Sequence, residues 1–291
     1  MARPRHRKRS LGCLTRLITL GILVFLIGYP FYAVYDLQIE TATLEVSGLN
    51  ADLNNLKIVY LSDIHCGAFY PMSRVEKLVN KVNALNPDII LLGGDYGEDS
   101  AGAIAFFENT PKFRARLLTA GVMGNHDRTA PESNLALLQS AMINAGVIPL
   151  VNAVKEVRSG SAALYLAGID DVSNGHPDYQ TVARQLRQED YVIFLSHSPK
   201  GLIQAFRATD AKGRGRWFDL ALCGHTHGGQ VTFLGKPLLS SIAKEESRYL
   251  SGWLTENRVP VLVSNGVGVS VLPIRLFAPA QIHVITLKAV K

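Results

Sequence analysis

The chain alternates short apolar runs with segments whose apolar positions recur at helical spacing. Runs of this kind predict strands at Thr43–Val46, Lys57–Leu61, Asp88–Leu92, Leu117–Met123, Leu164–Ile169, Tyr191–Leu195, Phe218–Cys223, Val261–Ser264 and Ile282–Leu287. Helical spacing predicts helices at Pro71–Leu85, Glu132–Ala145, Asp178–Gln188 and about Pro199–Arg207. Because strands and helices alternate, we predict an α/β architecture in which helices cover the faces of a sheet.

The first apolar run differs from the others in length and setting. No charged residue occurs from Leu17 to Tyr35, and a helix over these residues would span about 29 Å, close to the hydrocarbon thickness of a bilayer. Six basic residues and no acid precede the run: Arg3, Arg5, Arg7, Lys8, Arg9 and Arg16. We therefore predict a single-pass anchor in the inner (cell) membrane, with the N-terminus cytoplasmic and the body extracytoplasmic. A cleaved signal peptide is the alternative, although no A-x-A-like site follows the run.

These features divide the chain into four predicted parts. They are a basic cytoplasmic tail at 1–16, a transmembrane anchor at 17–35, a linker with an edge strand at 36–52, and one domain at 53–291. A hydrophobic content of 47% is enough for one substantial core. The net charge of +6 is accounted for by the tail, so we expect no nucleic-acid binding. Nothing in the sequence predicts the oligomeric state.

Residues that can bind metal ions follow five of the predicted strands. The segments are Ser62-Asp63-Ile64-His65, Gly93-Gly94-Asp95, Gly124-Asn125-His126-Asp127, Ser196-His197 and Gly224-His225-Thr226-His227. In open α/β sheets ligands bind at the carboxyl ends of the strands, so these segments are expected to converge. Carboxylate, imidazole and amide ligands suit Mn, Fe, Zn or Mg better than an ion that prefers thiolates.

In this order, the motifs Asp-x-His, Gly-Asp, Gly-Asn-His-Asp, His and Gly-His-x-His resemble those of the calcineurin-like metallophosphoesterases, over roughly residues 54–290. The extended Gly-His-Thr-His-Gly-Gly-Gln at 224–230, with segments 264–270 and 273–275, is similar to the bacterial membrane-associated phosphodiesterase branch. The resemblance implies a four-layer α/β/β/α sandwich of two mixed sheets, here preceded by one N-terminal transmembrane helix.

The resemblance also implies a role for each motif residue. Two divalent ions would be held by Asp63, His65 and His227 on one side and by Asn125, His197 and His225 on the other, with Asp95 bridging them. His126 would be the catalytic histidine that binds no metal, and Asp127 is predicted to orient it. Outside the ligand set, Arg128, His176 and Arg275 are candidate contacts for the substrate.

The predicted reaction is hydrolysis of a phosphodiester or phosphoanhydride by a hydroxide that bridges the two ions. An anchored enzyme would act at the membrane surface, on a substrate that is nucleotide- or lipid-linked. One alternative is a broad phosphomonoesterase. Another is a pyrophosphatase for UDP-2,3-diacylglucosamine, which some members of the family cleave, but that lipid A precursor lies on the cytoplasmic side. The last is a scaffold without catalysis, which the complete ligand set argues against.

Overall fold

The structure is a computed structural model, and it describes residues 7–129, 132–238 and 247–290. Its first element is helix α1, Arg7–Tyr32, in which Gly12–Tyr32 is long and apolar enough to cross a membrane. The helix overlaps the predicted anchor but begins within the predicted tail and ends three residues before Tyr35. Residues 1–6 of that tail lie outside the described residues.

The first of two six-stranded sheets joins the two ends of the domain. Its strand order is β1 (Leu37–Ser47), β14 (Ala280–Val290), β2 (Lys57–Leu61), β3 (Ile89–Leu92), β4 (Leu118–Gly121) and β5 (Val147–Pro149). Strands β2 to β5 are parallel, whereas β14 is antiparallel to β2 and parallel to β1. The carboxyl ends of β2, β3 and β4 therefore lie at the same edge of the sheet.

The second six-stranded sheet is also mixed. Its order is β12 (Gly252–Glu256), β13 (Val259–Val263), β9 (Leu220–Cys223), β8 (Val192–Leu195), β7 (Ala162–Gly168) and β6 (Ala153–Ser159). The four central strands are parallel, and β12 and β6 are antiparallel to their neighbours. A short hairpin of β10 (Thr232–Phe233) and β11 (Lys236–Pro237) stands apart from both sheets.

Helices cover the outer face of each sheet. Helices α2 (Met72–Ala84), α3 (Ser100–Asn109) and α4 (Glu132–Asn144) pack on the first sheet, and α5 (Tyr179–Ala183) and α6 (Lys200–Ala205) pack on the second. Alternation along β2 directs Val59 towards the helices and Ile58 towards the second sheet. Both faces are buried, which explains why the central strands are continuous apolar runs. The predicted four-layer sandwich of two mixed sheets is confirmed.

Several elements differ from the prediction: strands β5, β6, β10, β11 and β12 were not among the predicted strands, and the bounds of β1 and the presence of α3 also differ. Strand β1 begins at Leu37, inside the predicted linker at 36–52, and pairs with β14 along its whole length, so this segment belongs to the first sheet. The predicted edge strand Thr43–Val46 lies within β1 and at the edge of the sheet, but the polar and partly exposed side chains before Thr43 hid its first half. Helix α3 was not predicted, because its sequence contains Ser100 and Gly102; it starts at Asp99, whose side chain accepts a hydrogen bond from the Gly102 amide.

Candidate metal centre

The five predicted segments lie together at the carboxyl ends of strands from both sheets. Asp63 follows β2 and donates a backbone hydrogen bond of 2.9 Å to the carbonyl oxygen of Gly94, which follows β3. In the second sheet, the Gly224 amide after β9 donates to the carbonyl oxygen of His197 after β8, at 2.8 Å. The loops are thus joined to one another by their backbones, and the expected convergence is found.

One group of predicted ligands brings the two sheets together. Ligand atoms of Asp63, His65 and His227 lie within 4.8 Å of one another. The Nε2 atoms of His65 and His227 are 3.2 Å apart, and His227 Nε2 is 3.5 Å from Asp63 Oδ1. Both imidazoles are buried, and neither Nδ1 atom has a hydrogen-bond partner among the described residues. The Nε2 atoms that face each other, with the Asp63 carboxylate beside them, form a buried polar group that a cation coordinated by all three residues would satisfy.

A second group forms around Asp95. Its Oδ2 atom is 3.2 Å from His197 Nε2, and the same nitrogen is 3.2 Å from Asn125 Oδ1. Ligand atoms of Asp95, His197 and His225 also lie within 4.8 Å of one another. Asp95 Oδ2 is 3.5 Å from His65 Nε2, so this carboxylate lies between the two groups. All seven residues predicted as ligands are therefore brought together.

At several predicted ligands the backbone is in the left-handed region, which residues other than glycine rarely adopt. Positive φ angles occur at five predicted ligands: Asp63 (54°), His65 (47°), Asp95 (56°), His225 (70°) and His227 (52°). Such conformations cost of order 1–3 kcal/mol each and persist where the surroundings impose them, as at functional sites. Gly124 permits the packing, because a Cβ there would overlap the Asp95 carboxylate.

Burial sets the protonation of these groups. It lowers the pKa of His65 to about 4, lowers that of His225 to about 3 and depresses the pKa of His227 well below its usual value. These three imidazoles are therefore neutral near pH 7, which is the form that binds metals. Burial disfavours charge on Asp95 and His197 as well, but their mutual attraction lowers the pKa of Asp95 and raises that of His197.

His126 lies beside the predicted ligands with a partner of its own. Its ring meets the His65 ring edge-on, with 4.8 Å between the centroids. Its Nδ1 atom is 2.9 Å from the carbonyl oxygen of Glu98, and its backbone amide donates to Asp95 Oδ1 at 2.9 Å. Glu98 was not singled out in the sequence, because its contribution is a main-chain oxygen that any residue type could supply.

The Asp127 carboxylate, predicted to orient His126, is hydrogen-bonded to the backbone. It accepts hydrogen bonds from three backbone amides, those of Asp95 (2.7 Å), Gly124 (2.8 Å) and Tyr96 (2.9 Å). The described contacts of the carboxylate do not include His126, so the expected pairing gains no support from them. Asp127 fixes the loop that carries Asp95, because it satisfies amides that the turn leaves without partners.

Two of the candidate substrate contacts surround Asp170. The buried Arg128 donates from Nη2 to Asp170 Oδ2 at 3.0 Å. The exposed His176 donates its backbone amide to the same oxygen at 2.9 Å. Asn174, in the same loop, donates from Nδ2 to the carbonyl oxygen of Asn125 at 2.8 Å, which ties this loop to a predicted ligand. From the sequence, Asp170 is expected only to stabilise a turn or cap a helix, and Asn174 is given no role.

The third candidate, Arg275, is not at the surface of the site. Its side chain is fully buried and donates to the carbonyl oxygens of Gly268, Ala278 and Asn265, at 3.1, 2.8 and 2.8 Å respectively. These contacts favour a structural role over the predicted contact with substrate. The loop it holds supports the site, since the Gly268 amide donates to the carbonyl oxygen of Asp63 at 2.7 Å.

Comparison with known proteins agrees with this geometry. The profile of the calcineurin-like phosphoesterase family matches residues 56–229, which include all seven predicted ligands. The chain belongs to the calcineurin-like phosphoesterase family. The predicted resemblance is therefore confirmed, and the family assignment, with the clustered Asp and His residues, indicates metal binding and phosphoester hydrolysis.

Relatives of this phosphoesterase include bacterial proteins and one named for the membrane. It is 27% identical over 260 residues to the uncharacterized metallophosphoesterase YkuE of Bacillus subtilis (strain 168), covering 87% of this chain and 86% of that protein. It is 30% identical over 220 residues to the phosphodiesterase YaeI of Escherichia coli (strain K12), covering 73% and 75%. It is 30% identical over 267 residues to the transmembrane protein with metallophosphoesterase domain of Bos taurus, covering 86% of this chain and 57% of that protein.

Proposed function

We propose that this phosphoesterase hydrolyses phosphodiester or phosphoanhydride bonds with the help of two divalent metal ions. One ion would be held by Asp63, His65 and His227, the other by Asn125, His197 and His225, with Asp95 shared between them. The observation that carries this proposal is the position of Asp95 Oδ2, which is 3.5 Å from His65 Nε2 and 3.2 Å from His197 Nε2. A carboxylate, unlike a single imidazole, has two oxygens with which to bridge two cations.

The residues fit such ions in chemical type as well as in position. When bound, two divalent ions would supply a water of lowered pKa and would neutralise charge on the phosphate oxygens. The mixture of carboxylate, imidazole and amide ligands suits Mn, Fe, Zn or Mg. Buried neutral imidazoles on His65 and His225 are ready to bind without first losing a proton.

His126 would then act on the leaving group. Its contact with the Glu98 carbonyl oxygen requires a proton on Nδ1, so Nε2 is the nitrogen left for the leaving oxygen. To protonate that oxygen the ring would have to be an imidazolium with a proton on each nitrogen, and loss of the Nε2 proton would leave the neutral ring still bonded to Glu98. A ring nitrogen of His126 lies within 4.8 Å of ligand atoms of His65 and Asp95, so the group is close to the predicted reaction centre. The Glu98 contact also restrains the ring, which keeps the catalytic nitrogen in position.

The membrane would bring the enzyme to its substrate. We propose that α1 anchors the domain in the inner membrane, with the N-terminus cytoplasmic and the domain outside. The apolar helix and the relative named as a transmembrane protein support this anchoring. A tethered enzyme meets lipid-linked or surface-held phosphoesters at high effective concentration. The Escherichia coli relative named as a phosphodiesterase supports a diester as the substrate class.

The test is metal-dependent hydrolysis by the full chain purified in detergent. The protein is stripped with a chelator, then titrated with Mn²⁺ while bis-p-nitrophenyl phosphate and p-nitrophenyl phosphate are assayed in parallel. We expect activity on the diester to appear with metal and to reach its maximum at two ions per chain by elemental analysis. A maximum at one ion per chain would contradict the two-metal centre, and folded, metal-loaded protein without turnover would contradict the proposed reaction.

A further inference from the structure

Three exposed apolar side chains stand on loops at positions where the backbone is left-handed. They are Leu234 (φ 49°, 83% exposed), Val271 (φ 65°, 86% exposed) and Phe277 (φ 54°, 63% exposed). Large or β-branched residues are outliers at positive φ, and strained backbone of this kind persists where the surroundings impose it. The hairpin of β10 and β11 explains the left-handed backbone at Leu234, which lies in its two-residue turn, but it does not bury the side chain. Among the described residues, none covers the three side chains enough to remove them from solvent.

The two loops that carry these residues form one surface, which we call the apolar rim and define as residues 231–238 and 270–277. The Thr232 amide donates to the Leu276 carbonyl oxygen at 2.9 Å, and Gln230 Nε2 donates to the carbonyl oxygen of Ser270 at 2.9 Å. Further exposed apolar side chains of the rim are Phe233, Leu238 and Leu272. Clustered exposed apolar residues mark contact sites with proteins or membranes.

The apolar rim is continuous with the end of α1. Within the rim, the Arg275 amide donates to the carbonyl oxygen of Pro30, in the last turn of α1, at 2.9 Å. Phe277 is two residues from Arg275, a reach of at most about 7 Å along the chain. Exposed Tyr32 and Tyr35 follow at the helix end, where aromatic residues suit the boundary between lipid and water. A bilayer crossed by α1 therefore has its surface beside the rim.

The apolar rim also adjoins the metal centre. Gln230, whose side chain holds the rim loop, is three residues after His227. At the other end of that loop, the Gly268 amide donates to the carbonyl oxygen of Asp63 at 2.7 Å. The same two loops therefore connect predicted metal ligands on one side with exposed apolar tips on the other.

We propose that the apolar rim docks into the surface of the bilayer that α1 crosses and so holds the metal centre next to the lipid phosphates. The substrate is then a phosphoester carried at the membrane surface, an inference that rests on the proposed function for the anchor and the reaction. The bilayer is the occupant because the rim continues directly from the membrane helix. A protein partner would not explain why the rim lies directly beside the end of the membrane helix.

The test uses tryptophan reporters in the full chain, reconstituted in phosphatidylcholine–phosphatidylglycerol vesicles. Leu234→Trp and Phe277→Trp report on the rim, and Phe25→Trp reports on α1. Leu137→Trp, at a leucine of α4 that is 58% exposed and outside the rim, is the matched control. Emission is quenched either by brominated lipids or by acrylamide in the water, and the unmodified chain gives the background of Trp217 and Trp253.

We expect brominated lipids to remove the emission of both rim reporters and of Phe25→Trp, while Leu137→Trp loses emission only to acrylamide. If Phe25→Trp is quenched by lipid and the rim reporters are not, the docking is overturned and the anchor stands. If no reporter is quenched by lipid, both the proposed anchor and the proposed docking are overturned. Rim reporters shielded from both quenchers would be covered by protein, which also overturns the docking.

Hydrolysis of bis-p-nitrophenyl phosphate is assayed in the same vesicles as an independent readout. Its absence would contradict the proposed reaction without touching the lipid-quenching result. Lipid quenching of the rim without hydrolysis would show a docked domain whose chemistry is different. Hydrolysis without quenching would show an active phosphoesterase that does not dock through this surface.

Discussion

The Nε2 atoms of His65 and His227 lie 3.2 Å apart, although 162 positions separate the two residues in the chain. His65 follows β2 of the first sheet, and His227 follows β9 of the second. Two buried imidazoles whose nitrogens face each other are stable together only when a proton or a cation lies between them. The stability of the contact between the two sheets at this edge therefore depends on what lies between the two imidazoles.

Metal removal is therefore expected to weaken the fold. A ligand that binds only the native state stabilises it by about 2.7 kcal/mol at a concentration 100 times its Kd. We expect a chelator to lower the unfolding temperature of the full chain and Mn²⁺ to restore it. The measurement is thermal unfolding in detergent with and without metal. An unfolding temperature that does not respond to metal would contradict a metal centre joining the two sheets.

Asp95→Asn tests the shared ligand. The change keeps the size of the side chain but removes the charge that lies between the two groups of ligands. Loss of residues that merely orient metal ligands costs about 10–100-fold, so we expect kcat to fall by more than about 100-fold. The measurement is hydrolysis of bis-p-nitrophenyl phosphate together with metal content per chain.

Asp178→Asn is the matched control for that substitution. Asp178 caps α5 through its side chain, and asparagine caps helices equally well. We expect this variant to keep the activity and metal content of the unmodified protein. Equal activities for the Asp95→Asn variant and the control would remove Asp95 from the proposed centre.

His126→Ala separates two possible actions of the catalytic histidine. Loss of a general acid typically costs about 10²–10⁴-fold, but a leaving group as good as p-nitrophenolate needs little protonation. We expect a small loss with bis-p-nitrophenyl phosphate and a much larger loss with a diester whose leaving group is an alkoxide. Equal losses with both substrates would indicate that His126 stabilises charge on the phosphate instead.

The positions of the predicted ligands followed from the sequence because each comes directly after an apolar strand. Asp63 follows the apolar strand β2, and Asp95 follows the apolar strand β3. Because the two strands are parallel, their carboxyl ends lie at one edge of the sheet. In β1 only Thr43–Val46 was predicted as a strand, because the pairing of the whole segment Leu37–Ser47 depends on β14 at the other end of the chain.

The supporting contacts could not be predicted for a related reason. Asp127 binds backbone amides, among them those of Asp95 and Tyr96, and Arg275 binds three carbonyl oxygens. Backbone atoms carry no residue identity, so no motif in the sequence records such partners. Sequence alone therefore predicts the acidic residue after His126 as its partner and the arginine near the C-terminus as a contact for the substrate.

Arg275→Met tests the structural role of that arginine. The change leaves the carbonyl oxygens of Asn265, Gly268 and Ala278 buried without a donor, and leaving buried polar groups unpaired costs about 1–3 kcal/mol. We expect a loss of unfolding free energy on the order of 3 kcal/mol, measured by chemical denaturation. A variant of unchanged stability with a raised KM would instead support the contact with substrate that the sequence suggested.

His283 provides a test of pH dependence outside the metal centre. Its Nε2 atom is 3.1 Å from Ser264 Oγ, and burial lowers its pKa from 6.5 to about 4. The native state therefore binds fewer protons than the unfolded chain between these values. Stability is complete above about pH 6.5 and is lost as the pH falls towards about 4, by about 3 kcal/mol for this residue.

His283→Gln isolates this contribution, because glutamine can bond to Ser264 and does not titrate. We expect unfolding free energies of chelator-treated protein to fall less steeply between pH 6.5 and 4.5 in the variant than in the unmodified chain. Burial also lowers the pKa values of His65 and His225, so these residues contribute to the dependence of the unfolding free energy on pH in both proteins. Identical slopes would show that His283 accepts a proton in the native state as readily as in the unfolded chain.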